Sequence, residues 1–372
     1  MHQMNIEKRI ITRRDFIKIS AAWLTWSISF LPMRLGGLSR STPSAGLLDA
    51  LSGARLSPQA GVDLPPGQQG RVLVNNVSIY DRPSEFGEKV NAYWFDSILP
   101  ISQVTASPET ESHNPIWYRV GSEGYVHSGS VQPVRTILQQ PNSEIPAGGI
   151  LAEVTVPFTD ARWSPGKEQQ VAYRFYYETT YWVIQLVYDE SNTPWYSVLD
   201  DKWELVFYVP ATHMRLIPAE ELTPLSPAVP PGSKKLEVNL REQILVAYEM
   251  DEPVYMARVA TGARFSTGNY STPPGWHMTF HKRPSRHMAR GNLAANGYDL
   301  PGVPWNSYIT ESGIAIHGTY WHNNFGRPRS HGCINLTPKA AKWVYRWTMP
   351  VVPPDQQSAY ENYGTLVEIR EE

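Results

Sequence analysis

The chain has 372 residues, enough for two or three domains rather than one core. Only 18% of residues are charged and 12% are aromatic, so the body is globular, and 32 prolines point to strands and loops rather than a helical bundle. A single cysteine excludes a disulfide framework, a cysteine-rich zinc site and an iron–sulfur cluster. The formal net charge of −2 conceals an asymmetry: residues 1–45 carry seven basic and two acidic side chains, 46–233 carry eleven against 21, and 234–372 carry fifteen against twelve. No basic tract fits nucleic acid, and only the C-terminal part suits an acidic ligand.

At the N-terminus, Thr12-Arg13-Arg14-Asp15-Phe16-Ile17-Lys18 leads into a charge-free apolar run over 19–31. That run is shorter than the ~20 residues a spanning helix needs. It is apolar on all sides, which argues against a buried amphipathic helix. The pattern resembles a twin-arginine export signal, with Ile17 where Leu is usual. Thr42-Pro43-Ser44 and Pro43-Ser44-Ala45 are both poor cleavage sites, so 1–45 is expected to act as an export signal or to stay as a membrane anchor. Either way the body belongs in the cell envelope: periplasmic, wall-associated or membrane-anchored. An unpaired cysteine there points to chemistry rather than core filling. Residues 46–70, rich in Ser, Gly, Pro and Gln, read as a linker.

From 71 to 136 short β-rich runs alternate with turns: 72–77, Trp117-Tyr118-Arg119-Val120, and Glu123-Gly124-Tyr125-Val126-His127-Ser128. With Asp81-Arg82-Pro83-Ser84 after an early strand and a closing Val131-Gln132-Pro133-Val134, this resembles a bacterial SH3-like barrel. A second copy follows at 150–220. The run 154–158 and Trp163-Ser164-Pro165 echo the first strand and turn, Trp195-Tyr196-Ser197-Val198 repeats WYxV, and Tyr208-Val209-Pro210-Ala211 replaces GYVHS. Most of these aromatics are expected to fill small barrel interiors. The proline-rich stretch 221–233 reads as a stiff spacer.

Strands are expected at 235–240, 243–248 and 254–261, and turns at Thr267-Gly268 and Thr272-Pro273-Pro274-Gly275. The dense cluster is Ile314-Ala315-Ile316-His317-Gly318-Thr319, a Gly/Pro/Asn/Arg loop, then Arg329-Ser330-His331-Gly332-Cys333-Ile334-Asn335-Leu336. A helix should begin next, with Thr337 as N-cap and Pro338 at the first helical position. The sole cysteine thus sits in a glycine-containing turn before a helix, with one histidine two positions upstream and another sixteen upstream. Nucleophilic acyl transfer needs a thiolate, a base to form it and donors for the oxyanion. An adjacent imidazole is expected to raise the ionised fraction of the thiol, and Gly332 lets backbone amides approach a developing negative charge.

This cluster resembles the L,D-transpeptidase (YkuD-type) catalytic domain. That family's pattern is a histidine on a strand, often as His-Gly, then Ser/Thr-His-Gly-Cys, an apolar residue and Asn or Arg. The resemblance covers 234–370 and implies a mostly β, sandwich-type domain that handles peptidoglycan, with a short helix after the nucleophile. It implies that Cys333 is the nucleophile and His317 the proton acceptor and donor. The Gly318 carbonyl orients His317, His331 supports the pocket, and Gly332 contributes backbone to the oxyanion hole. Substrate-binding residues would be Ser330, Asn335, Arg329, Arg327, Tyr320 and Trp321, Ser330 and Asn335 also holding the turn, while Trp305 and Tyr308 lean to packing. The implied substrate is the tetrapeptide stem of peptidoglycan, acylating Cys333 through its third, L-centred residue with release of D-Ala. The acyl group then passes to an amine, free or on a wall protein, or to water. Carbapenems should inactivate it covalently, and the reaction calls for no cofactor.

Three competitors are weaker. His277, His281 and His287, with His317 and His322, offer imidazoles for a metal, but His277 and His281 lie in an extended segment and form no His-Glu-x-x-His helix. A papain-like or NlpC-type wall endopeptidase would place Cys before His, whereas here His317 precedes Cys333. A non-catalytic wall-binding protein would have no need of an intact His317, Ser330, His331, Gly332 and Cys333.

Overall fold

Period-two burial builds the strands: 76–80 alternates exposed and covered positions, and 234–239 alternates buried with half-buried ones. The structure, a computed structural model, describes residues 61–109, 112–293 and 297–371. The export signal expected at 1–45, and 46–60 of the expected linker, lie outside the described residues.

A first module contains β1 (Val62–Asp63), β2 (Gln69–Val72), β3 (Asn76–Tyr80), β4 (Lys89–Trp94), β5 (Ile98–Ala106), β6 (Ile116–Val120), β7 (Gly124–His127) and β8 (Val131–Val134). A second contains β9 (Ile150–Val154), β10 (Phe158–Arg162), β11 (Val171–Tyr176), β12 (Thr180–Tyr188), β13 (Pro194–Leu199), β14 (Val206–Pro210) and β15 (Met214–Leu216). Their sheets run β4-β3-β7-β6-β5-β2-β8 and β11-β10-β14-β13-β12-β9-β15, the same order strand for strand. The likeness reaches single residues. Asp96 and Glu178, with φ of 63° and 61°, follow β4 and β11, and their N–H groups donate to Val72 O and Val154 O at 3.0 and 2.9 Å. The paired Trp117 and Trp195 are buried at the same place on β6 and β13.

The chain departs from the sequence expectation in four places. The run 72–77 breaks between β2 and β3, and 154–158 breaks between β9 and β10, where Pro157 denies the ladder a donor. The expected linker 46–70 already contains β1 and the start of β2. The expected spacer 221–233 is docked rather than free. Leu222 is buried in the C-terminal core, Glu221 is bridged by Arg215 at 2.5 Å and Lys342 at 2.7 Å, and Leu225 N donates to Arg346 O at 3.0 Å.

The C-terminal part continues with β16 (Lys234–Asn239), β17 (Ile244–Glu249), β18 (Glu252–Arg258), β19 (Arg264–Phe265), β20 (Gly268–Asn269), β21 (Gly275–Met278), β22 (His281–Arg290), β23 (Tyr298–Tyr308), β24 (Ala315–Gly318) and β25 (Ile334–Leu336). Then come α1 (Pro338–Trp347), β26 (Ala359–Tyr360) and β27 (Leu366–Arg370). Two five-stranded sheets, β18-β17-β16-β27-β21 and β25-β24-β23-β22-β26, share one core with the apolar face of α1. Leu236, Val238, Leu245 and Ile369 come from one sheet, Ile316, Ile334 and Leu336 from the other, and Ala341, Val344 and Trp347 from the helix. The fold is mostly β, with α1 the one α-helix among the described residues.

The helix is fixed at both ends. Thr337 Oγ1 accepts from Ala340 N at 3.3 Å, and Pro338 sits where no N–H is missed. At the other end the buried Lys282 donates to Tyr345 O at 2.5 Å and Thr348 O at 2.7 Å, carbonyls at the helix end, while burial pushes its ammonium well below the usual range. Replacing Thr337 by Ala should lower unfolding free energy by about 1 kcal/mol, read as a lower urea midpoint at unchanged slope.

Candidate active site

β24 and β25 are parallel neighbours, with Ile316 opposite Ile334, His317 opposite Asn335 and Gly318 opposite Leu336. Cys333 immediately precedes β25. Two residues before Asn335, it falls on the same face as His317, one diagonal step away across the pair.

The turn carrying Cys333 is held from several sides. Gly332 has a φ of +113°, which an L side chain avoids, and a Cβ there would press on Ile314 at 3.3 Å. Ser330 Oγ accepts from Gly332 N at 3.2 Å and donates to Cys333 O at 2.5 Å. Buried Thr272 donates to Gly332 O at 2.8 Å and accepts from Gly262 N at 2.8 Å. Gly262 itself leaves no room for a side chain, since a Cβ would lie 2.1 Å from Tyr270 O. Thr272 belongs to the Thr-Pro-Pro-Gly segment seen in the sequence, but its role as a tie to the turn was not read there.

His317 is buried, and its Nδ1 meets Gly318 O at 2.9 Å. A carbonyl only accepts, so Nδ1 carries the proton and Nε2 keeps a free lone pair. Burial pushes the imidazole down to about 4, against the pull of that hydrogen bond. Cys333 is partly covered, with Sγ 3.9 Å from Gly313 O. Enough protein surrounds the sulfur to push the thiol up to about 11, offset in part by a hydrogen bond with the Ala315 backbone. Both groups are therefore neutral at pH 7, and the raised thiolate fraction expected from a nearby imidazole is reversed by desolvation.

His331 turns elsewhere. It is exposed, stacks on Phe265 with ring centres 4.9 Å apart and meets Tyr270 edge-on at 4.6 Å, so the β19–β20 hairpin holds it. Trp321 is half-buried with its ring centre 5.8 Å from that of His317. Three residues expected to bind substrate are instead internal. Asn335 is buried and its Nδ2 donates to His322 Nε2 at 2.9 Å; Ser330 is spent on the turn. Tyr320 is also buried, its hydroxyl donating to Pro301 O at 3.0 Å and its ring stacked on Tyr176 of the second module. Arg327 and Arg329 are exposed, but with the Asn324 amide turned to suit its neighbours Arg327 donates to it at 2.8 and 3.2 Å.

Trp305 packs in the core, whereas Tyr308 lines a cleft of about 330 Å³ with His281, Arg283, Arg286, Glu311 and Gly313. Gly313 joins this cleft to the thiol. The histidines weighed as metal ligands have separate engagements: His277 Nε2 with Pro273 O at 3.0 Å, His281 stacked on Tyr308, and His287 between Asp200 and Asp299.

Buried neutral His317 and His322, the latter pushed down to about 3, have a stability consequence. As pH falls below about 6.5 the unfolded chain binds protons at both sites while the folded chain does not until about 4 and 3. Their contribution is thus intact above 6.5 and lost on acidification, and the thermal midpoint should fall across that window more steeply than in a His322→Phe variant. Alkylation of Cys333 by iodoacetamide should keep accelerating beyond pH 9 instead of levelling near neutrality.

Residues 233–369 match the family model described as YkuD, the L,D-transpeptidase catalytic domain. No curated protein matches the chain. Among solved structures, a mutant of the Enterococcus faecium L,D-transpeptidase is 22% identical over 37% of this chain and 50% of its own, with a TM-score of 0.29. An L,D-transpeptidase from Xylanimonas cellulosilytica is 23% identical over 37% of this chain and 61% of its own, TM-score 0.27. One from Mycobacterium smegmatis is 16% identical over 50% and 81%, TM-score 0.30. The chain spans about half to three fifths of the length of the first relatives it matches. By the family match, residues 233–369 of this chain are a YkuD-type L,D-transpeptidase catalytic domain.

Proposed function

We propose that the chain is a peptidoglycan L,D-transpeptidase in which Cys333 is the nucleophile and His317 the base. The observation that carries this reading is a buried imidazole, its tautomer fixed by Gly318 O, on the strand paired beside the one that Cys333 opens. With both partners neutral at rest, the reaction runs by general-base catalysis rather than from a standing ion pair. Sγ attacks the carbonyl of the third, L-centred residue of a tetrapeptide stem while His317 Nε2 takes the thiol proton. The tetrahedral intermediate then expels D-Ala, whose amine receives that proton, and a thioester remains on Cys333. An incoming amine attacks the thioester, His317 takes its proton, and the thiol is restored as the new amide forms; water in the same place would give the trimmed stem. The Gly332 N–H, held only by a long 3.2 Å bond to Ser330 Oγ, is the donor offered to the oxyanion.

The acceptor amine belongs to another stem or to a wall protein, and the two N-terminal modules serve as SH3-like domains at 71–136 and 150–220. The enzyme works in the envelope, exported by its N-terminal segment. Purified protein incubated with defined tetrapeptide muropeptides should release D-Ala and yield cross-linked or trimmed products by mass spectrometry. Cys333→Ala should abolish turnover with the fold intact, and His317→Ala should lower acylation by about 10²-fold or more. A carbapenem should add once, at Cys333. Wild-type turnover in Cys333→Ala, or an adduct that survives it, would refute the thiol mechanism.

A further inference from the structure

The loop 319–329, which joins the base to the nucleophile, is tied to a part of the chain far outside the catalytic domain. Arg71, on β2 of the first module, is 1% exposed. Its Nη2 donates to Tyr320 O at 2.5 Å and to Gln132 Oε1 at 2.9 Å, and its Nη1 donates to Asp96 at 2.8 Å. The guanidinium lies 4.0 Å from the centre of the Tyr176 ring, which itself stacks on Tyr320 at 5.2 Å. Three residues further along, Asn323 Nδ2 donates to Ser128 O and Val131 O, both at 3.0 Å and both in the first module. Asn324 meets His113 Nε2 at 2.8 Å, and Gly129 packs so closely on Asn324 that a Cβ would come within 2.9 Å of its side chain. Between the first two ties lies Trp321, beside His317.

We infer that the first module is part of the catalytic unit, with Arg71 and Asn323 acting as positioning residues that hold the 319–329 loop, and through it Trp321 and the turn bearing Cys333. The first module holds the stretch 320–324, whereas the end nearer Cys333 is tied within the catalytic domain, Gly326 N donating to Val259 O at 2.9 Å and Arg329 N and Ser330 N to Thr261 O at 2.8 and 2.9 Å. A spacer would have no reason to meet three loop residues with a buried guanidinium, two backbone carbonyls and an imidazole. The inference rests on the proposed activity for one of its two readouts only; the reactivity of the thiol is measured without any substrate.

The test uses the full chain carrying Asn323→Ala or Arg71→Met, with thermal midpoints recorded. Asn323→Ala leaves the Arg71 junction in place and removes only the one amide that reaches Ser128 O and Val131 O, so it decides the matter should Arg71→Met fail to fold. The variants should lose about tenfold to a hundredfold in kcat on tetrapeptide muropeptides with KM within about twofold, the sign of a misplaced reacting group rather than a lost binding contact. Their Cys333 alkylation profile with iodoacetamide should move to lower pH, because the loop runs directly into the 330–333 turn and a loosened turn lets water reach the sulfur. A folded Asn323→Ala protein with wild-type kcat and an unmoved alkylation profile would overturn the inference. If the wild type turns over no muropeptide while the variants still shift the alkylation profile, the positioning stands and the proposed activity falls.

Discussion

A guanidinium withdrawn from water costs several kcal/mol unless its donors are met and its charge is balanced. Arg71 meets that demand with groups from all three parts of the molecule: Asp96 and Gln132 from its own module, the Tyr176 ring from the second, and Tyr320 O from the catalytic domain. Asp96 also binds Arg174 of the second module at 3.1 Å, so the same carboxylate serves both modules. The repeat makes the junction intelligible. The turn that presents Asp96 in the first module presents Glu178 in the second, and there Tyr176, two residues before it at the end of β11, faces the catalytic domain. One local shape is used twice, once between modules and once against the catalytic domain.

From that junction outward the site is a matter of register. The parallel pairing of β24 with β25 sets His317 and Cys333 on one face, and past the positive φ of Gly332 the thiol lies beside Gly313, which lines the cleft. Thr272 and Ser330 then satisfy the turn's polar groups, so little of its geometry is left to solvent. The electrostatics follow from burial rather than from charge pairing. Both members of the proposed dyad are kept neutral, which suits a base that moves a proton only when a carbonyl is in place.

Local signals in the sequence were legible where local physics decides. Thr337-Pro338 marks the start of α1 because capping is a property of a few adjacent residues. The WYxV runs lie on β6 and β13, equivalent strands, because a small all-β module needs large side chains to fill its core. The His317-Gly318 and Ser330-His331-Gly332-Cys333 runs identify the family domain without any coordinates. What was not legible depends on distance along the chain. Arg71 and Tyr320 are separated by 249 positions, and nothing in the spacing of either says that they meet. The family resemblance places Tyr320 among the substrate-binding residues, yet it faces inward to Tyr176. The thiol's state was misread for a related reason: a neighbouring histidine is visible in sequence, whereas the desolvation that outweighs it is not.

The account stands or falls on whether Cys333 is acylated by a stem peptide. The direct measurement is intact-mass analysis of the protein, acid-quenched within seconds of mixing with a tetrapeptide stem, followed by peptide mapping. The account requires a transient adduct equal to the stem less D-Ala, located on the peptide that contains Cys333 and hardly formed in His317→Ala at the same quench time. No adduct under conditions where the stem is consumed, or an adduct mapped to any other residue, would contradict it.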